Sequence, residues 1–184
     1  MLDGFFINLP QLETERLLLR KLEYTDKQDI FEYASNPEVS KYMPWEAHGG
    51  EIDTLDFLNI TYENYNNDRP ASWGIVLKSI NKIIGTAGFA SLDKINLRAE
   101  FGYAISQDYW NKGIATEASK EILKYGFNQM GLNRIEAMCN VENIASARVL
   151  EKAGLTLEGI LREYILVKEK FVDHKLYSIL KVHY

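Results

Sequence analysis

The 184-residue chain contains one cysteine, four prolines and three histidines. With Cys139 alone, no internal disulfide can form, and a reducing cytoplasmic setting is expected. Few prolines, no low-complexity stretch and no repeat of roughly 20–50 residues exclude solenoids and propellers. His48, His174 and His183 share no metal-ligand spacing, so no metal site is expected. No apolar run approaches the ~18 residues of a membrane span. The start, MLDGFFINLPQLETER, lacks the basic region of a secretory signal. Basic residues are in deficit, 21 against 26 acidic, for a net charge of -5 and a pI near 5.3. That excludes a typical nucleic-acid surface and suits a cationic substrate.

What is present describes an ordinary globular chain, 46% hydrophobic and 26% charged. Its length matches one domain of roughly 150 residues, so a single domain over 1–184 is expected. Arg16–Arg20 is a short apolar run and forms the first strand. Thr25 and Gln28 have capping-box spacing and open a helix to about Ser35, which Pro37 stops. An irregular aromatic segment follows over 38–50. Glu51 to about Asn66 reads as a helix. Ser72–Lys78, Ile83–Ser91 and Ala99–Ile105 read as strands. Gly113–Met130 is the longest helix, and Gly131 is placed to cap it. Strand 134–141, a helix from Asn143 to Ala153, and a hairpin of 161–168 with 174–182 turning across Phe171–Asp173 complete the order βααβββαβαββ. The class is mixed α/β, with about seven strands flanked by helices.

Two segments carry chemistry. Gln107–Glu117 joins a strand to the long helix, so its backbone N–H groups and the positive helix end face one ligand site. That arrangement suits phosphate oxygens. Gly113 permits close backbone approach, Ala115 keeps the first turn small, and Lys112 adds charge. The alternative is a structural glycine before a helix. In the second segment, Asn140–Gly154, Asn143 serves as an N-cap and Ser146 as a first-turn polar residue, either inert or catalytic. On strand 99–105 Glu100 shares a face with only Gly102 and Ala104, leaving room against it. Cys139 alternates with Ile135 and Ala137 and belongs to an apolar face rather than to a nucleophile.

Taken in order, LETERLLLRKL, IIGTAGF, AEFGYAI, YWNKGIATEA and the run from Asn143 to Gly154 make the chain resemble the GNAT superfamily of acetyl-CoA-dependent N-acetyltransferases. Within it the similarity is to the ribosomal-protein N-terminal acetyltransferase (RimJ/RimL-like) branch, over roughly residues 11–180. The superfamily motif Gln/Arg-x-x-Gly-x-Gly/Ala here reads Trp110 to Ala115, with Trp110 in the Gln/Arg position. The resemblance implies a splayed sheet whose gap admits the pantetheine arm of coenzyme A. Backbone groups of Tyr103 and Ile105 would pair with that arm, and Asn143 would hydrogen-bond it. Asn111, Lys112, Gly113, Ile114, Ala115 and Thr116 would hold the pyrophosphate. Glu100 matches the family's general base and Ser146 its proton donor to the leaving thiolate, a role that water can also fill. Tyr42 and Trp45 fall where the acceptor groove forms, or are simply packing. The implied reaction moves acetyl from acetyl-CoA to a primary amine, by direct attack in a ternary complex. A protein N-terminal amine is the first acceptor class. An amine of pKa near ~7.8 is roughly 15% neutral at pH 7, against about 0.04% for a lysine. The alternatives are a polyamine or antibiotic acceptor, or a catalytically silent coenzyme-A-binding sensor. The sequence leaves homo-oligomerisation open.

Overall fold

A computed structural model describes residues 3–184. Eight strands form one sheet: β1 Leu12–Glu13, β2 Leu17–Arg20, β3 Ser72–Leu77, β4 Lys82–Asp93, β5 Arg98–Ile105, β6 Arg134–Asn140, β7 Thr156–Val167 and β8 Lys170–Leu180. Their spatial order is β1-β2-β3-β4-β5-β6-β8-β7. Every neighbouring pair is antiparallel except β5–β6. The parallel pair follows from chain path, because the long helix returns the chain to the starting end of the sheet before β6 begins. The helices are α1 Lys27–Ala34, α2 Pro37–Ser40, α3 Glu51–Asn66, α4 Ile114–Asn128 and α5 Ile144–Ala153. No helix among the described residues is long and apolar enough to cross a membrane.

Helix α4 places Ile114, Ala118, Ile122 and Leu123 on one buried stripe against Phe89, Phe101 and Ile135 of the sheet. Helix α5 adds Ala147, Leu150 and Ala153 to the same core. The opposite face carries a second cluster, where α1 and α3 set Ile30, Tyr33 and Leu58 against Val76 and Ile83. Those helices cover only the β2–β4 half, so among the described residues no helix covers the β6–β8 half of that face.

Three expectations change. Pro37 does not merely end a helix: it is the first residue of α2, capped by the Asn36 side chain, where its missing N–H costs nothing. Strand β1 was not anticipated, being two residues long. The last hairpin turns at Lys168–Glu169 rather than across 171–173. Both residues have positive φ, 48° and 65°, as a two-residue turn requires. Neither is Gly, Asn or Asp, so no turn signal marks them.

The site-bearing feature is the divergence of β5 from β6. They pair at Arg98–Arg134, Ala99–Ile135 and Glu100–Glu136, and there the pairing stops. At the same rung β4 is bulged, since Phe89 faces Phe101 while Ser91 faces Glu100. A bulge bends and twists the strand it joins, here drawing β5 away from β6. Gly85 then keeps β4 tight on the far end of β5. A Cβ on Gly85 would stand 2.3 Å from the Ala104 carbonyl oxygen and 3.0 Å from the Ile105 Cα. Both are backbone atoms that cannot step aside alone. Gly85→Ala is therefore expected to lower stability by about 1–3 kcal/mol, measured as a reduced urea midpoint at unchanged m-value.

Candidate active site

The gap between β5 and β6 has a defined chemistry along each wall. Ser106 donates its backbone N–H to the Ile84 carbonyl at 2.8 Å, and the Ala104 carbonyl points at Gly85. Even-numbered residues of β5 therefore bond to β4, and Tyr103 and Ile105 direct their backbone groups into the gap. The Ile105 carbonyl accepts from the Trp110 indole Nε1–H at 2.8 Å. Trp110 thus bolts the end of β5 to the loop before α4, by a hydrogen bond that its motif position did not suggest. The Tyr103 groups and the Ile105 N–H remain for a ligand.

At the end of the gap, the loop into α4 curls around its own amides. Asn111 and Gly113 have φ of 59° and 76°. The N–H groups of 114–116 head the helix and have no intrahelical acceptor, the first helical bond being Glu117 N–H to Gly113 O at 3.0 Å. Asn111, Lys112 and Gly113 are exposed, Ile114 is buried, and Ala115 and Thr116 are half-buried. Arg16 braces this loop from almost a hundred residues away. Its Nη1 donates to the Lys112 carbonyl at 2.9 Å, and its Nε donates to Glu117 Oε2 at 2.7 Å. Glu117 also accepts from the Thr14 hydroxyl at 2.6 Å and the Arg16 N–H at 3.0 Å. These bonds hold Glu117 ionised, with its pKa below the ordinary carboxylate value despite burial. Neither Arg16 nor Glu117 had been singled out. Both lie in motifs quoted above, but their pairing across the fold has no local signal.

On the wall across from Tyr103 stands α5. The Asn143 side-chain Oδ1 accepts the Ser146 N–H at 3.0 Å as the N-cap of α5, which leaves the amide NH2 to donate. Ser146 Oγ accepts from the Tyr103 hydroxyl at 3.0 Å. Cys139 is 5% exposed and part of the core, and burial pushes its thiol up, away from nucleophile behaviour.

Glu100 lies on the other face, in a cleft of 430 Å³ lined also by Asp93, Arg98, Glu136, Met138, Leu161, Tyr164 and Leu176. Burial first, then the neighbouring Glu136 carboxylate, raises the Glu100 pKa above the ordinary value, against a Ser91 hydrogen bond that lowers it. No cation pairs with Glu100 among the described residues. Glu136 does have cations: Arg134 Nε at 2.5 Å and Arg98 Nη1 at 3.6 Å. Sequence alternation marks Glu136 as facing away from the Ile135–Cys139 core side, but only the strand register sets it opposite Glu100. Tyr42 and Trp45 do not line this cleft. Trp45 packs beside His48 at 5.8 Å between ring centroids, and Tyr42 lies under the Lys41 ammonium at 5.4 Å.

The chain matches the acetyltransferase (GNAT) domain model over residues 16–156. It belongs to the GNAT acetyltransferase family. A relative named uncharacterized N-acetyltransferase p20, from Bacillus licheniformis, is 38% identical over 177 residues, covering 94% of this chain and 97% of that one. A GNAT-family acetyltransferase structure from Bacillus anthracis is 35% identical with a TM-score of 0.84, covering 94% of this chain and 99% of that one. RimL, a ribosomal L7/L12 alpha-N-protein acetyltransferase in complex with coenzyme A, has a TM-score of 0.84, covering 93% of this chain and 98% of that one. Its 17% identity makes that a likeness of fold.

This GNAT enzyme is an acetyl-CoA-dependent N-acetyltransferase, and its residues fit the cosubstrate. The amide-lined loop suits a pyrophosphate and the free β5 edge suits an amide-bearing arm. A Cβ at Gly113 would force a left-handed residue where glycine is favoured and stand 3.5 Å from Arg16 Nη2. Gly113→Val is expected to weaken coenzyme A binding by about tenfold or more, read by calorimetry on protein shown to be folded by circular dichroism.

Proposed function

We propose that residues 1–184 act as one cytoplasmic GNAT domain of the ribosomal-protein N-terminal acetyltransferase (RimJ/RimL-like) type. It acetylates a protein N-terminal α-amine by direct attack in a ternary complex. The observation that carries this reading is Glu100, a half-buried carboxylate with no cationic partner, set in an acidic cleft beside the rung where β5 and β6 part. Acetyl-CoA supplies an activated acetyl thioester. Loop 111–116 holds its pyrophosphate, the Tyr103 and Ile105 backbone pairs with its arm, and the Asn143 amide donates to that arm. Glu100 takes the proton of the attacking amine. Ser146 protonates the departing sulfur.

The cleft chemistry suits that acceptor. Asp93, Glu100 and Glu136 draw in a protonated amine, with Arg98 as the opposing cation. Leu161, Leu176, Met138 and Tyr164 offer apolar contact to the residue carrying it. An α-amine needs little help to lose its proton near neutrality, so a carboxylate with a raised pKa serves as base. Tyr42 and Trp45 lie outside the cleft wall. The second reading, a polyamine acceptor, draws on the same surplus of carboxylates. The silent-module alternative predicts coenzyme A binding without turnover.

Glu100→Gln keeps the shape of the side chain and removes the proton acceptor. Its kcat is expected to fall by about 10²–10⁴-fold, with coenzyme A affinity unchanged and the deficit shrinking at high pH, where more amine is already neutral. Glu100 acts only when ionised, so activity rises as pH climbs through its raised pKa. Glu136→Gln removes a like charge, lowers that pKa and moves the acid limb to lower pH. Thiol release measured on N-terminal peptides, spermidine and an aminoglycoside over pH 6 to 9 checks all of this. Near-normal kcat for Glu100→Gln across that range returns Glu100 to an ordinary strand residue. Preference for spermidine over every peptide overturns the N-terminal assignment.

A further inference from the structure

The Tyr103 side chain has no part in the scheme above, which uses only the Tyr103 backbone. Its hydroxyl donates to Ser146 Oγ at 3.0 Å. The two residues stand on opposite walls of the gap, Tyr103 on β5 and Ser146 in the first turn of α5. Ser146 therefore meets the Tyr103 phenol across the gap.

A serine hydroxyl has one proton and two lone pairs. Once Tyr103 donates to a lone pair, the Ser146 proton has to point away from Tyr103. Accepting one hydrogen bond also makes a hydroxyl a stronger donor in a second, and the effect is larger where water is scarce. Without Tyr103, the Ser146 proton is free to rotate back toward β5 or to a backbone carbonyl of its own helix.

We propose that the Tyr103 side chain is a positioning residue for acetyl transfer, its hydroxyl locking Ser146 as a one-way hydrogen-bond donor toward the leaving sulfur. The inference rests on the reading of Ser146 as the group that protonates that sulfur. Glu100 takes the amine proton and releases it to solvent. Ser146 gives its proton to the sulfur, which keeps the electron pair of the broken C–S bond, and recovers a proton from solvent. Tyr103 keeps its own proton throughout. Its one hydroxyl hydrogen is spent on Ser146 Oγ at 3.0 Å, so it acts through that hydroxyl and not on the sulfur itself. Its work is orientation.

The test titrates the thiol of enzyme-bound coenzyme A by its thiolate ultraviolet absorbance, which needs no acceptor and no turnover. Ser146→Ala is expected to raise that thiol's pKa by about one unit, a tenfold loss of thiolate. Tyr103→Phe, which keeps the ring that sits 6.0 Å from Phe101, is expected to raise it by about half a unit. The double variant should match Ser146→Ala alone, because Tyr103 has no route to sulfur except through Ser146. Replacing Tyr103 with 3-fluorotyrosine, a stronger donor of similar shape, should lower the thiol's pKa. Coenzyme A affinity measured at about pH 6, where the thiol is protonated free and bound, should stay within about twofold in every variant. A thiol unmoved by Ser146→Ala sinks the reading of Ser146 itself. A thiol that responds to Ser146→Ala but not to Tyr103→Phe or fluorotyrosine overturns the present inference and leaves Ser146 standing. Additive shifts in the double variant overturn it too.

Discussion

Strands β5 and β6 pair for three residues and then separate, and the whole site is organised by that separation. A sheet held together along its full length would spend the backbone groups of Tyr103 and Ile105 on β6. The bulge in β4 between Phe89 and Ser91 prevents this by bending β5 at the rung where pairing ends. The break leaves hydrogen-bonding groups unsatisfied by the protein at the place where a ligand rich in amides can satisfy them. Gly85, packed against the Ala104 carbonyl, holds the other edge of β5 fixed while the inner edge opens.

The two faces of the sheet divide the chemistry. On one, the α4–α5 core brings Ser146, Tyr103 and the amide-lined loop to the gap. On the other, α1 and α3 stop short and leave the acidic cleft that holds Glu100. Glu100, the proposed proton acceptor, and Ser146, the proposed proton donor, therefore flank the gap from opposite sides. Each has its own electrostatic setting. Glu100 is raised by burial and by Glu136. Glu136 pairs with Arg134, which also grips Glu158 at 2.5 Å; that second pairing holds the Glu158 carboxyl down at about 2. The loop before α4 is stiffened separately, by Arg16 and Glu117.

Much of the fold was legible because it rests on local signals. The span Glu51–Asn66 and the Asn143 and Gly154 caps of α5 follow from helical period and capping chemistry, and the structure places them there. The mixed α/β class and the opening between β5 and β6 also agree with the resemblance to GNAT enzymes. What escaped notice depends on pairing between distant segments. Arg16 meets Glu117 across about a hundred residues. Glu136 faces Glu100 through a register that no single strand encodes. The Trp110 indole reaching the Ile105 carbonyl is a tertiary closure of a loop. The Lys168–Glu169 turn lacks the residues that normally announce positive φ. Tyr42 and Trp45 sit in a region whose path the sequence leaves open, and the structure packs Trp45 beside His48 and against the α1–α3 cluster.

Amide hydrogen exchange with and without coenzyme A tests the central claim, that the β5–β6 gap receives the cosubstrate arm. The account predicts strong added protection at the Tyr103 and Ile105 amides and over 113–116, with Ala104 and Ser106, already bonded to β4, little changed. Protection confined to the loop, with Tyr103 and Ile105 exchanging as fast as in the free enzyme, would contradict it.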